Sequence, residues 1–158
     1  MALGDMFLKV ETARQGMIKG ESQDAKHESE IDVLGWSWGM RAQTAMGAAG
    51  PSSKATLNEL AIVKRVDSAS PALMSAMRNN ELIKKAALTV RKAGTEPPLE
   101  YLRITLQNAR ITLLDLQTNG EEVTERMNLS FKRINVEYTP QGKDGMARGG
   151  MFFETEIT

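Results

Sequence analysis

The sequence predicts a mainly β fold: an antiparallel β-barrel or sandwich of about eight or nine strands with one short flanking α-helix. Two observations carry this. Apolar residues alternate with period two along most of the chain, and a single stretch, residues 70–80, switches to helical spacing. Two long polar stretches, residues 12–29 and 41–56, interrupt the alternation and read as loops.

Met6, Leu8 and Val10 share one face of the first strand, with Phe7 and Lys9 on the other. Residues 30–41 read as one strand, with Leu34, Trp36, Trp38 and Met40 on one side and Gly35, Ser37 and Gly39 on the other. Leu60, Ile62 and Val66 follow, then Ala86, Leu88 and Val90, then Leu102, Ile104 and Leu106. Ile111 to Leu116 is almost entirely apolar and reads as buried on both faces. Asn119-Gly120 marks a hairpin turn, with Glu121 and Glu122 at its solvated tip. Leu129 and Phe131 keep one parity while Ile134, Val136 and Tyr138 keep the other, which predicts a β-bulge at Lys132–Arg133. Residues 151–157 supply a last strand, Met151, Phe153 and Ile157 alternating with Glu154 and Glu156.

In the helical stretch, Ser70 is placed to cap and Pro71 to occupy the first position, where a missing N–H costs nothing. Leu73, Met74 and Met77 fall on one face, and Asn79 or Asn80 provides the stop. So short a helix survives by packing on the β-structure. The loops at 12–29 and 41–56 are long for a compact domain, and in a β protein such segments serve as arms towards a neighbouring subunit.

At 158 residues the chain suits one domain, 1–158, with a core that needs no staples. Twenty Lys and Arg balance twenty Asp and Glu, nine of each sign in residues 1–79 and eleven of each in 80–158. No half is basic, so the electrostatic footprint of a nucleic-acid binder is missing. Zero net charge also removes the self-repulsion that opposes association. The chain has no Cys, hence no disulfide, thiolate nucleophile or Cys-ligated zinc. No apolar run approaches the roughly 20 residues of a membrane-spanning helix, and Asp5 and Lys9 interrupt the N-terminal segment before a signal-peptide core could form.

Candidate chemistry is sparse. His27 is the only histidine, so any Ser–His–Asp triad must use it; beside Lys26 and Glu28 it reads as a structural or solvated residue. No His pair, HExxH or Cys cluster offers a metal site, and no cofactor motif stands out. Gly47 to Lys54 lacks the Gly-Lys-Ser/Thr ending of a phosphate loop. Asp32, Asp67, Asp115 and Asp144 have no spacing that pairs two of them as acid and base. Trp36 and Trp38 read as core anchors on one strand face. The face carrying Gly35, Ser37 and Gly39 is nearly bare, as suits a surface that another backbone or a cargo approaches. The ten Met residues are mostly core filler, and any exposed ones give an adaptable surface.

Several segments together resemble the Hcp (haemolysin-coregulated protein) family of type VI secretion. These are Ile18-Lys-Gly-Glu-Ser22 with His27, Glu30-Ile-Asp-Val-Leu-Gly-Trp-Ser-Trp-Gly39, Val66-Asp-Ser-Ala-Ser-Pro71, Leu88-Thr-Val-Arg-Lys-Ala-Gly94, Tyr101-Leu-Arg-Ile-Thr-Leu106 and Val136-Glu-Tyr-Thr-Pro140. The likeness runs from about Asp5 to Ile157. It implies a β-barrel with a flanking helix that forms homohexameric rings. These stack into a tube inside a contractile sheath, and the tube with its spike tip is driven out of the cell, some members carrying small effectors in the lumen. It implies a structural, non-enzymatic subunit, made in the bacterial cytoplasm and exported without a cleaved signal peptide, with no membrane insertion. Residues 12–17 lengthen the first loop and residues 41–53 carry fewer consecutive glycines than the shorter relatives. The chain ends directly after the last strand, without the toxin extension of some relatives. In such a ring, Ser37 is expected to face the channel, between Gly35 and Gly39. Two other readings compete: a small secreted β-barrel hydrolase using His27, and a monomeric binding module that exposes its indoles.

Overall fold

The computed structural model describes residues 5–42, 55–92, 98–141 and 149–157. Its elements in chain order are β1 (Met6–Thr12), β2 (Gly16–Ile18), β3 (Ile31–Asp32), β4 (Gly35–Ser37), β5 (Met40–Arg41), β6 (Thr56–Leu57), β7 (Leu60–Arg65), α1 (Ser70–Arg78), β8 (Ile83–Lys92), β9 (Leu99–Asn119), β10 (Glu122–Ser130), β11 (Arg133–Tyr138) and β12 (Met151–Glu156). Every described strand pairing is antiparallel. The fold is therefore the expected β-sandwich with one short helix; it has more strands than the alternation suggests, several of only two or three residues, while the segments 102–106 and 111–116 join in the single long β9.

The long β9 organises the molecule. Its first half pairs with β8 on one edge and β11 on the other, and its second half pairs with β10. Two layers result, β2-β1-β8-β9-β11-β12 and β9-β10-β7-β4, with β9 belonging to both. At the change of partners Asn108 takes φ 53°, the left-handed region that asparagine tolerates better than most residues. Strands that switch sheets through such bends make the corners of a sandwich. The core between the layers holds Leu8, Val10, Ile31, Leu60, Ile62, Leu88, Ile104, Leu106, Met127 and Ile134, with Leu73 of α1 packed among them.

Several expectations need correction. Residues 30–41 are three strands, because β3 pairs with β1, β4 with β7 and β5 with β6. The chain thus crosses from one layer to the other at Val33–Leu34, and Leu34 and Met40 are exposed. The stretch 12–29 is not all loop, since β2 folds back on β1 as a hairpin. Glu81 holds that turn, accepting hydrogen bonds from the backbone N–H groups of Arg14 and Gln15 at 2.8 and 3.1 Å. Of the stretch 41–56, residues 43–54 lie outside the described residues, and its two ends pair as β5 and β6. Val66 lies beyond β7 and is exposed; its inward place is taken by Lys64.

Ile111 to Leu116 is not buried on both faces. Ile111 is buried, but Thr112 and Asp115 are exposed and Leu116 is 51% exposed, because the β9–β10 hairpin runs past the end of the core. The hairpin turns where expected, but one residue on: Gly120, at φ 68°, and Glu121 make the turn, and Asn119 pairs with Glu122 in the strands. The parity change near Lys132 is real but is not a bulge. β10 ends at Ser130 and β11 begins at Arg133, so Phe131 and Lys132 form a corner between the layers. A bulge does occur nearby, where β10 shifts register against β9 between Asn128 and Leu129.

Helix α1 starts one residue earlier than expected. Ser70 is its first residue and Ala69 occupies the N-cap position without a side-chain cap bond, while Pro71 keeps its place in the first turn. The Ser70 hydroxyl is drawn into the interior instead. The buried face is Ser70, Leu73 and Ala76, so Met77 only borders the core and Met74 is exposed. The stop at Asn79–Asn80 is as expected. Asn80 takes φ 52°, its N–H bonds to Met77 O, and the Glu81 N–H reaches back to Ala76 O, the paired bonds of a Schellman cap.

β12 forms where the last strand was expected and, among the described residues, pairs only with β11. Yet it shows apolar side chains on both faces: Met151, Phe152 and Phe153 are all exposed, Phe152 at 67%.

Candidate functional site

Three places concentrate chemistry-bearing side chains: the bare face of β4, a buried ion cluster under α1, and a histidine loop on the outer layer.

Among the described residues β4 pairs only with β7, which makes it an edge strand. Trp36 lies opposite Ile62 of β7, which lies opposite Met127 of β10, both fully buried; cross-strand partners share a face, so Trp36 is directed at the core. Trp36 and Trp38 are both half-buried and packed against that core, and the buried Trp38 Nε1 has no hydrogen-bond partner among the described residues. Ser37 lies on the opposite face, exposed, opposite Ala61. Among the described residues, a methyl group added at Gly35 would meet nothing within 4 Å, and one at Gly39 would meet only Asn58 Nδ2 at 3.6 Å. The packing of the described residues therefore does not demand these glycines.

The ion cluster was missed in the sequence. Lys64 and Glu125 lie directly opposite on β7 and β10, on the inward face, with side chains 0% exposed. Lys64 Nζ donates to Glu125 Oε1 and Asp67 Oδ1, each at 2.8 Å, and to Ser70 Oγ at 3.1 Å. Ser70 in turn donates to Glu125 Oε1 at 2.6 Å and accepts from the Asp67 N–H at 3.0 Å. Glu125 Oε2 is buried without a partner among the described residues. The cluster ties the start of α1 to the middle of a sheet. A signal existed: Lys64 keeps the parity of Leu60 and Ile62, so a strict period of two puts its ammonium inside. Which carboxylate meets it depends on the β7–β10 pairing, which periodicity does not reveal.

His27 sits in the chain between β2 and β3, 5% exposed. Its ring stacks on Phe7 of β1, centroids 4.5 Å apart and planes within 7°. Nδ1 lies 3.0 Å from Glu30 Oε1 and Nε2 lies 2.7 Å from Glu100 Oε2. Both ring nitrogens thus meet carboxylates rather than a hydroxyl, which is not the arrangement of a base activating a serine. Arg91 lies over the Phe7 ring at 4.8 Å and pairs with Asp24 at 2.8 Å and Asp5 at 3.5 Å. The hydrogen bond from Arg91 holds the Asp24 carboxyl below the usual aspartate value, against a smaller opposing effect of burial. Burial pushes Asp32 of β3 upward, and the nearby charge of Asp67 adds to it. Among the described residues, no group of three or more His, Asp or Glu is arranged to hold a metal ion.

Fold and site together define an antiparallel β-sandwich with open edges, a bare exposed edge strand, and a histidine engaged in holding a loop. Comparison with known proteins agrees. The family model for the type VI secretion system effector Hcp matches residues 7–138. Protein hcp1 of Pseudomonas aeruginosa is 40% identical over 150 residues, covering 92% of this chain and 90% of that protein. A type VI secretion system effector from Yersinia pestis superposes with TM-score 0.77 at 29% identity, covering 97% of this chain and 100% of that one. Hcp1 of Salmonella typhimurium gives 0.75 at 28% identity over 96% and 95%. The chain belongs to the Hcp family of type VI secretion.

Proposed function

We propose that this chain, as one domain spanning 1–158, is the structural subunit of a type VI secretion inner tube. It forms hexameric rings that stack and are exported, with small effectors carried in the lumen. Its partners are then further copies of itself, the surrounding sheath and the spike tip. It is made in the cytoplasm, leaves without a cleaved signal peptide, and performs no catalysis.

The observation that carries this reading is the open edge at β12. An edge strand presents unpaired backbone groups, and this one adds exposed Met151, Phe152 and Phe153. Soluble monomers blunt such edges with charge or cover them; here Glu154 and Glu156 charge the second half only, and the apolar first half points to an interface. Closed rings need two different patches on each subunit, meeting head to tail. The expected outcome is a species near six times 17.4 kDa by light scattering at moderate salt, followed over concentration because ring and subunit exchange. A clean monomer at high concentration would sink the proposal.

In that ring Ser37, Gly35 and Gly39 line the channel as a small polar patch. Ser37→Asp or Ser37→Gln adds charge or bulk on an exposed face and changes no core volume. The expected outcome is intact rings that co-purify less of a lumen cargo, because an uncompensated polar group at a closed contact costs on the order of one to several kcal/mol. Loss of the ring instead would place Ser37 between subunits.

A further inference from the structure

We propose that His27 is a pH-operated clasp: doubly protonated, it pins residues 26–30 to the start of β9, and loss of one proton releases that stretch while the sandwich stays folded.

The geometry requires this coupling. Glu30 and Glu100 carboxylates only accept hydrogen bonds, and each faces a different ring nitrogen, at 3.0 and 2.7 Å. Both contacts are satisfied only when both nitrogens carry a proton. A neutral ring has one N–H, so one nitrogen then turns a lone pair towards a carboxylate oxygen. The flat stack on Phe7 holds the ring in its plane, with each nitrogen directed at its carboxylate, and the residue is only 5% exposed.

The stretch held by the clasp contains an uncommon backbone conformation. Ser29 takes φ 63°, a left-handed conformation that a serine seldom adopts. The backbone is tight here as well: a Cβ at Gly20 would lie 2.6 Å from the Glu30 carbonyl oxygen.

Other charges around the ring set the scene without replacing the two carboxylates. On its own loop, Lys26 and Glu28 are exposed and Asp24 is committed to Arg91 of β8 at 2.8 Å. From β9, Arg103 shares Glu100, bonding its other oxygen at 3.1 Å. Lys9 and Glu11 of β1 and Lys85 of β8 line the open hollow of about 280 Å³ beside the ring. The Asp24–Arg91 pair makes no bond to the imidazole, and the ring's charge is the smallest of the influences on Asp24, so this tie holds the residues before the clasp.

The test is amide hydrogen exchange on the full chain from pH 5 to 8.5, corrected for intrinsic rates. The reporters are the Ser29 and Glu30 N–H groups, which donate to Ser22 O and His27 O. Their protection should fall about tenfold or more from the acid to the alkaline end of that range, while Leu88 and Ile104 in the core keep theirs. In His27→Gln the same amides should show low protection that no longer varies with pH in this range. Nitrogen-15 spectra of the parent imidazole should show protons on both nitrogens at pH 5, and in Glu100→Gln the Ser29 and Glu30 amides should lose protection at pH 5 while the core keeps its own. Flat protection in the parent, an unchanged pH profile in His27→Gln, or a singly protonated ring at pH 5 would each overturn the clasp.

Discussion

Lys64–Glu125 and Arg133–Glu154 are both ion pairs reaching across neighbouring antiparallel strands, and they differ in the face they occupy. The first lies between the layers, with both side chains at 0% exposure; the second lies on the outward face, at 43% and 44%. Desolvation separates them. A buried pair must recover a large solvation cost through near-ideal geometry and further hydrogen bonds, as Asp67 and Ser70 provide here. A surface pair keeps its water, is screened by salt, and ties down two long side chains for little return. The Asp24–Arg91 pair, with side chains 23% and 9% exposed, stands between them.

The sharpest way to break the comparison is to remove one partner from each pair. Lys64→Met leaves Glu125 charged, buried and unanswered, and should destabilise the chain by about 3–5 kcal/mol. A denaturant midpoint shifted at constant slope is the measurement. Combining it with Glu125→Leu should recover much of that loss, because an apolar pair needs no solvation; a double variant as weak as the single one would contradict this account.

Asp24→Asn tests the intermediate case through pH. The carboxyl is held below its ordinary value by Arg91, so its contribution is complete above the unfolded aspartate value and is lost as pH falls through the lower folded one. The variant should lose no more than about 1 kcal/mol near neutrality, given its partial exposure, and should show a shallower loss of stability below pH 4. Thermal unfolding between pH 3 and 7 reads both effects.

Arg133→Gln should leave the unfolding midpoint unchanged within error at moderate salt. In a ring, however, its neighbour β12 carries the exposed apolar edge, so light scattering on the same variant separates stability from assembly. A clear loss of monomer stability would mean that surface pairs here do more than screening allows.

The two pairs also show how far the sequence could be read. Leu60 and Ile62 were legible as inward residues because apolar parity is a local signal. Lys64 obeys the same parity, but a lysine at an inward position is ambiguous until its partner is known, and Glu125 is 61 residues away. Ser70 was legible as a helix-start residue, yet its hydroxyl serves Glu125 and Lys64 rather than the helix backbone. Ser37 opposite two indoles was visible from alternation. The setting of His27 was not, since Phe7, Glu30 and Glu100 are gathered around it from three separate segments.

By itself the sequence determined the β-class, the position and stop of α1, the hairpin at Asn119-Gly120 and the likeness to Hcp proteins. Each rests on period, turn chemistry or residue order, all carried by neighbours in the chain. Only the tertiary structure decided that residues 30–41 divide among three pairings, that 111–116 outrun the core, and that the turn at Phe131–Lys132 is a corner between layers. Those outcomes depend on which strands pair and where each layer ends, and period two is the same for a strand inside the core and for one that overhangs it.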